Sequence, residues 1–193
     1  HILREMAESR VQRNTITYNA AVSACEKGQA WEQAVCAFHA MQLQQLSPDL
    51  ISFNALISAC AKGQQWSRAL ALHAGLTGAG LTPDLVTFNA SASACERGRA
   101  WPEALQLLPE LRCVGLRPDE ITFRALVGAC VRSGRWAEAA ALLVNMQEDG
   151  IRRSVSLLTS VVEACEAQQQ WNEALRLLDE LGEVALEPFD GPR

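Results

Sequence analysis

The sequence predicts an all-α fold, a right-handed alpha-alpha superhelix (solenoid) of 35-residue helical hairpins, and three residue columns carry that prediction. The tryptophans fall at Trp31, Trp66, Trp101, Trp136 and Trp171, one every 35 residues. Cys25, Cys60, Cys95, Cys130 and Cys165 keep the same step, as do Ala34, Ala69, Ala104, Ala139 and Ala174. Three residue types holding one period without insertion mark stacked supersecondary units rather than a single irregular core.

With Thr15 as first place, the units are 15–49, 50–84, 85–119, 120–154 and 155–189. Residues 1–14 read as the second helix of a truncated repeat, because Met6 falls in the column of Met41, Leu76, Leu111, Met146 and Leu181; residues 190–193 read as a tail. On this reading the array is a fragment of a longer one.

Each unit reads as two helices. In the first, Phe53, Leu56, Ile57 and Cys60, like Tyr18, Ala21, Val22 and Cys25, recur as the i, i+3, i+4, i+7 stripe of a helix with one buried face. Gly28, Gly63, Gly98 or Gly134 follows, and glycine is expected to take the left-handed conformation that ends a helix. The second helix carries Trp101, Ala104, Leu105, Leu108 and Leu111, with the small alanine where two helices approach closely. Segments such as Gly80-Leu81-Thr82-Pro83-Asp84 end it, since proline cannot continue a helix. Neither helix buries its stripe alone, so neighbouring units must stack.

Composition narrows the function classes. Hydrophobic residues make up 49% of the chain and charged residues 20%, values of a folded rather than a disordered protein. No run of about 18 apolar residues is present, so no membrane span is expected. The net charge of -5 gives no long-range attraction to a polyanion, so any nucleic-acid contact must come from local placement of charge.

The segments Ile16-Thr17-Tyr18-Asn19, Gly80-Leu81-Thr82-Pro83-Asp84 and Val86-Thr87-Phe88-Asn89 resemble the pentatricopeptide repeat, a 35-residue helical hairpin, and the resemblance extends over essentially the whole chain. The tetratricopeptide repeat, of roughly 34 residues, opens with a Trp-x-x-Leu-Gly-x-x-Tyr signature that no unit here has. The tryptophan opening each second helix departs from the family pattern, where an aliphatic residue is commoner.

The resemblance implies binding of single-stranded RNA, about one base per unit read by two or three side chains. It implies that the fifth and last residues of a unit select the base: Asn19 with Asp49, Asn54 with Asp84, and Asn89 with Asp119, each similar to the family's uracil pair. An amide offers one acceptor and two donors to the N–H and carbonyl of uracil, and an acceptor-only Asp can hold its orientation; cytosine also fits if the amide rotates. Arg124 with Ser154, and Thr159 with Phe189, match no assignable pair and are weak base-facing candidates. Ile16, Ile51, Val86 and Ile121 take the place that packs against base faces, and Ser156 breaks that column. Lys27, Lys62, Arg97 and Arg132 take the place that contacts phosphate. Four neutralised phosphates give a salt slope of about -3, an affinity loss of about 50-fold between 50 and 200 mM salt.

Structural roles compete for the same columns. Asp49, Asp84 and Asp119 stand where an N-cap belongs, and Lys or Arg at a helix C-terminus complements the dipole without any ligand. Glu26, Glu96 and Glu166 adjoin the basic column and weaken its field. The tryptophans are assigned to packing and His73 to the core, in a place filled by Phe38 and Leu108 elsewhere. Equivalent cysteines one helix spacing apart, roughly 10 Å, exceed the ~7 Å reach of a disulfide and are expected to be core thiols, with Cys36 and Cys113 unassigned. No metal, cofactor or catalytic constellation is expected.

Two readings result. One is a sequence-selective RNA-binding array with a U-U-U-N-N footprint, serving RNA processing, stabilisation or editing in a chloroplast or mitochondrion, with RNA-processing proteins as further partners. The alternative is a protein-binding scaffold of the tetratricopeptide type.

Overall fold

The computed structural model describes residues 14–186, with side chains to residue 179. The expected truncated helix at its residues 1–13, the tail and Phe189 lie outside the described residues. Ten helices occur among the described residues: α1 (Thr15–Lys27), α2 (Trp31–Leu43), α3 (Leu50–Lys62), α4 (Trp66–Gly78), α5 (Leu85–Gly98), α6 (Trp101–Cys113), α7 (Glu120–Arg132), α8 (Trp136–Glu148), α9 (Val155–Ala167) and α10 (Trp171–Leu186). Every odd-numbered helix starts 35 residues after the previous one, and every even-numbered helix opens on a tryptophan.

The odd-numbered helices α1, α3, α5, α7 and α9 pack against one another in series, and each even-numbered helix lies on its own partner and, through α8, on the next odd-numbered helix. The odd-numbered helices thus form one continuous wall of the stack. Two buried clusters run through the stack, one from Val22 to Ala94 and one from Phe88 to Leu177, with Trp66 packed against both. The alanine column is buried throughout, as close helix approach demands. Cys60, Cys95, Cys130 and Cys165 are buried free thiols, Cys25 is half-buried, and Cys36 and Cys113 are exposed. Burial, reinforced by neighbouring Glu carboxylates, pushes the Cys95 thiol up to about 12 and Cys130 to about 11. His73 does replace a core aromatic: its ring meets Phe88 edge to face at 4.8 Å, as Phe38 meets Phe53 at 5.1 Å, and its Nδ1 lies 2.8 Å from the Ser91 hydroxyl.

The turn inside the first three hairpins differs from expectation. The left-handed residue there is Gln29, Gln64 or Arg99, one place after the expected glycine, whereas Gly134 (φ 70°) is itself left-handed as expected and Gln169 takes that place in the fifth unit, for which no glycine was expected. The next amide, for example Ala30 N–H, donates to the Cys25 carbonyl at 2.9 Å, closing a six-residue helix-ending turn that recurs at Cys60, Cys95, Cys130 and Cys165. Gly63 and Gly98 are needed for a different reason: a Cβ at either would lie 2.2 Å from Cδ1 of Trp31 or Trp66 of the preceding unit. The tryptophans are therefore half-buried between units rather than deep in a helix stripe, with Arg68 4.7 Å over Trp31 and Arg135 4.3 Å over Trp101; Trp171 is exposed.

Candidate functional site

The fifth-place asparagines stand on the wall of odd-numbered helices, each partly exposed and each bonded to the last residue of its own unit. Asn19 Nδ2 donates to Asp49 Oδ1 at 3.0 Å, Asn54 Nδ2 to Asp84 Oδ1 at 3.1 Å, and Asn89 Nδ2 to Asp119 Oδ2 at 3.2 Å. The same three aspartates are N-caps of α3, α5 and α7, accepting from the backbone N–H of Ser52, Thr87 and Thr122 at 2.8–2.9 Å. Capping and amide holding thus coexist in one carboxylate, whose two oxygens have lone pairs enough for both.

Burial pushes the Asp49 and Asp84 carboxyls up, but the bonds from Ser52 or Thr87 and from Asn19 or Asn54 outweigh it, so both lie below the ordinary 3.8. A depressed folded value stabilises the fold above the unfolded pKa, and that contribution is lost as pH falls through the folded value. Wild-type protein should therefore melt at a higher temperature than Asp49→Asn/Asp84→Asn at pH 6, with the gap narrowing below about pH 4, where unfolded carboxylates protonate. A gap that stays constant from pH 6 to pH 3 would contradict the assignment.

The second-place residues Ile16, Ile51, Val86 and Ile121 are 75, 63, 60 and 50% exposed, large aliphatics left in solvent on the same wall. Between Ile51 and Val86 lies a groove of about 510 Å³ lined also by Asn54, Asp84, Ser58 and Glu26. It brings two exposed aliphatic side chains together with the Asn54 amide and the Asp84 carboxylate in one open groove. The fourth and fifth units lack this arrangement. Arg124 is exposed, and among the described residues no hydrogen bond joins it to Ser154; Ser154 Oγ lies 3.3 Å from Ser156 Oγ, and Thr159 donates to its own helix at Val155 O.

The basic column divides in two. Lys62 Nζ lies 3.0 Å from Glu26 Oε1, which also accepts from Ser58 Oγ at 2.7 Å, and Arg132 Nε lies 3.5 Å from Glu96 Oε1. Lys27 and Arg97 are exposed and carry no ion pair among the described residues. Sequence reasoning placed the glutamates beside the column but not in direct contact, because each reaches forward to the cation of the next unit. It missed Ser52, Thr87 and Thr122 altogether, although a third-place hydroxyl recurring with the period was a visible signal.

Residues 13–62 match the model of the PPR repeat family, residues 51–81 and 121–151 that of the PPR repeat, and residues 73–133 that of the pentatricopeptide repeat domain. The fold is similar to the crystal structure of the pentatricopeptide repeat protein PPR10 from maize, with a TM-score of 0.77 and 26% identity over 97% of this chain and 27% of that one. The same protein in complex with an 18-nt psaJ RNA element gives 0.77 and 23% over 98% and 28% of the two chains. The PPR domain of Arabidopsis thaliana protein-only RNase P 1 in complex with tRNA gives 0.74 and 13%, over 88% and 89%. The chain thus spans little more than a quarter of the maize protein structure. No curated protein matches it in sequence.

Proposed function

Since the chain belongs to the pentatricopeptide repeat family, we propose that it binds single-stranded RNA along the wall of odd-numbered helices, about one base per unit. The carrying observation is the groove between Ile51 and Val86, lined by the Asn54 amide held by Asp84. The amide–carboxylate pair repeats at Asn19 with Asp49 and Asn89 with Asp119, and the three pairs read three uracils, followed by two bases that the fourth and fifth units hold without selection. The footprint is U-U-U-N-N, 5' to 3' along the chain. Relatives seen with a psaJ RNA element and with tRNA support the class of ligand. Binding rather than catalysis is the activity of these units, in RNA processing, stabilisation or editing in a chloroplast or mitochondrion. Titrating labelled U-rich and A-rich oligonucleotides tests it: several-fold tighter binding of the U-rich strand is expected, and equal affinity, or none at low salt, sinks the uracil assignment.

The ion pairs revise the expected salt response. With Lys62 and Arg132 occupied by Glu26 and Glu96, two free cations remain, and the slope falls from about -3 to about -1.4, or about sevenfold in affinity between 50 and 200 mM salt. Glu26→Gln/Glu96→Gln should release both cations, tighten binding at 50 mM salt and restore a slope near -3. A slope unchanged by the double substitution would show that these cations do not meet phosphate.

A further inference from the structure

An Asn carboxamide turned through half a revolution exchanges its donor and acceptor, and that exchange separates uracil from cytosine. Uracil presents an N–H beside a carbonyl oxygen, whereas cytosine presents a ring nitrogen acceptor beside an amino group. A reader that turns freely therefore accepts both bases. In this protein the amide is gripped at both ends. Its nitrogen donates to the Asp, and its oxygen accepts from a hydroxyl of the next unit: Ser52 Oγ to Asn19 Oδ1 at 2.5 Å, Thr87 Oγ1 to Asn54 Oδ1 at 2.6 Å and Thr122 Oγ1 to Asn89 Oδ1 at 2.5 Å. We propose that Ser52, Thr87 and Thr122 are positioning residues that set uracil over cytosine by fixing which end of the amide meets the base; the proposal rests on the RNA-binding reading above.

Three observations carry it. The hydroxyl residues are 0, 0 and 1% exposed, so they cannot touch RNA and can act only through another side chain. Each hydroxyl accepts from the backbone N–H of its Asp at 3.2–3.4 Å, which completes the capping box with a lone pair and leaves the single proton free. Two oxygens compete for that proton, and in every unit the Asn oxygen, at 2.5–2.6 Å, is nearer than the Asp oxygen, at 2.8 Å. A hydroxyl serving the cap alone has no need of the amide. With both ends held, one N–H and one oxygen lone pair of each Asn remain for a base, and neither can exchange place with the other. The grip stops where the readable units stop: the third place of the fifth unit is the buried Leu157, which offers nothing to Arg124 of the fourth.

The test compares wild type with Ser52→Ala/Thr87→Val/Thr122→Val and with the conservative Thr87→Ser, titrating U-tract and C-tract pentanucleotides. One neutral hydrogen bond is worth about fivefold, so the triple variant should lose roughly a hundredfold of its U-over-C ratio. Thr87→Ser should keep the wild-type ratio. A triple-variant ratio within about twofold of wild type overturns the proposal. Should the triple variant not fold, Thr87→Val alone is titrated against strands differing only at the second base, with a loss of about fivefold expected and no loss overturning. A second readout needs no RNA: the side-chain amide protons of Asn54 should exchange with water faster in Thr87→Val than in wild type, and equal rates overturn the grip. If wild type binds neither strand, the RNA reading has failed, and amide exchange alone then decides whether the grip exists.

Discussion

Replacing Asn19, Asn54 and Asn89 together by Ala is expected to abolish the preference for U-rich over A-rich RNA while the array stays folded. Each mismatched base costs a nucleic-acid reader about 1–3 kcal/mol, so three readers together supply at least about a hundredfold. Residual, base-indifferent binding should remain, because Ile51 and Val86 still flank the groove and Lys27 and Arg97 still face solvent. The fold has little to lose. The asparagines lie within helices, where Ala is the better helix former by several tenths of a kcal/mol, and Asp49, Asp84 and Asp119 keep their backbone caps. A melting temperature within a few degrees of wild type is expected, alongside equal dissociation constants for the two strands. Retained U preference in the triple variant would remove these amides from base reading.

The period made the architecture legible. A column of identical residues one unit apart carries its own register, so a single pass over Trp31, Trp66 and their successors places every helix start to within a residue. The asparagine and aspartate columns were legible too, and their pairing at 3.0–3.2 Å needed only the expectation that the last residue of a unit adjoins its fifth. What the sequence hid lies between units. Glu26 reaches Lys62 and Glu96 reaches Arg132, each on the next odd-numbered helix, a contact that no local pattern encodes. In the second and fourth units Ala61 and Val131 fill the glutamate's place, so the neutralisation alternates along the array. The glycines misled for a related reason. Glycine after a helix ordinarily signals a left-handed residue, but at Gly63 and Gly98 the missing Cβ makes room for a tryptophan 32 residues earlier, and a glutamine or arginine carries the positive φ instead.

That second use of glycine yields the largest stability effect expected of a one-carbon change. At Gly98 an added Cβ would stand 2.2, 2.4 and 2.7 Å from Cδ1, Cγ and Cβ of Trp66, and Gly63 meets Trp31 in the same way. These are the near atoms of a rigid bicyclic side chain, so the strain cannot be relieved by bending a flexible tip. Overpacking of this kind costs about 1–3 kcal/mol, and because interface terms in a solenoid add between nearest neighbours, Gly63→Ala/Gly98→Ala should cost about 2–6 kcal/mol. For a chain of this size each kcal/mol lowers the melting temperature by about 2–4 °C. Gly75→Ala supplies the control. It lies within α4 with nothing inside 4 Å of its added Cβ, and should stabilise by about 0.5–1 kcal/mol, the ordinary gain from Gly to Ala in a helix. Shortening the tryptophan, Trp66→Leu, destabilises the parent but should cost less in the Gly98→Ala background, because the clash it relieves is present only there. Thermal melts of the four proteins in that cycle decide the matter: additive losses would mean that Trp66 and Gly98 do not bear on each other, and that the glycine column is held by the turn alone.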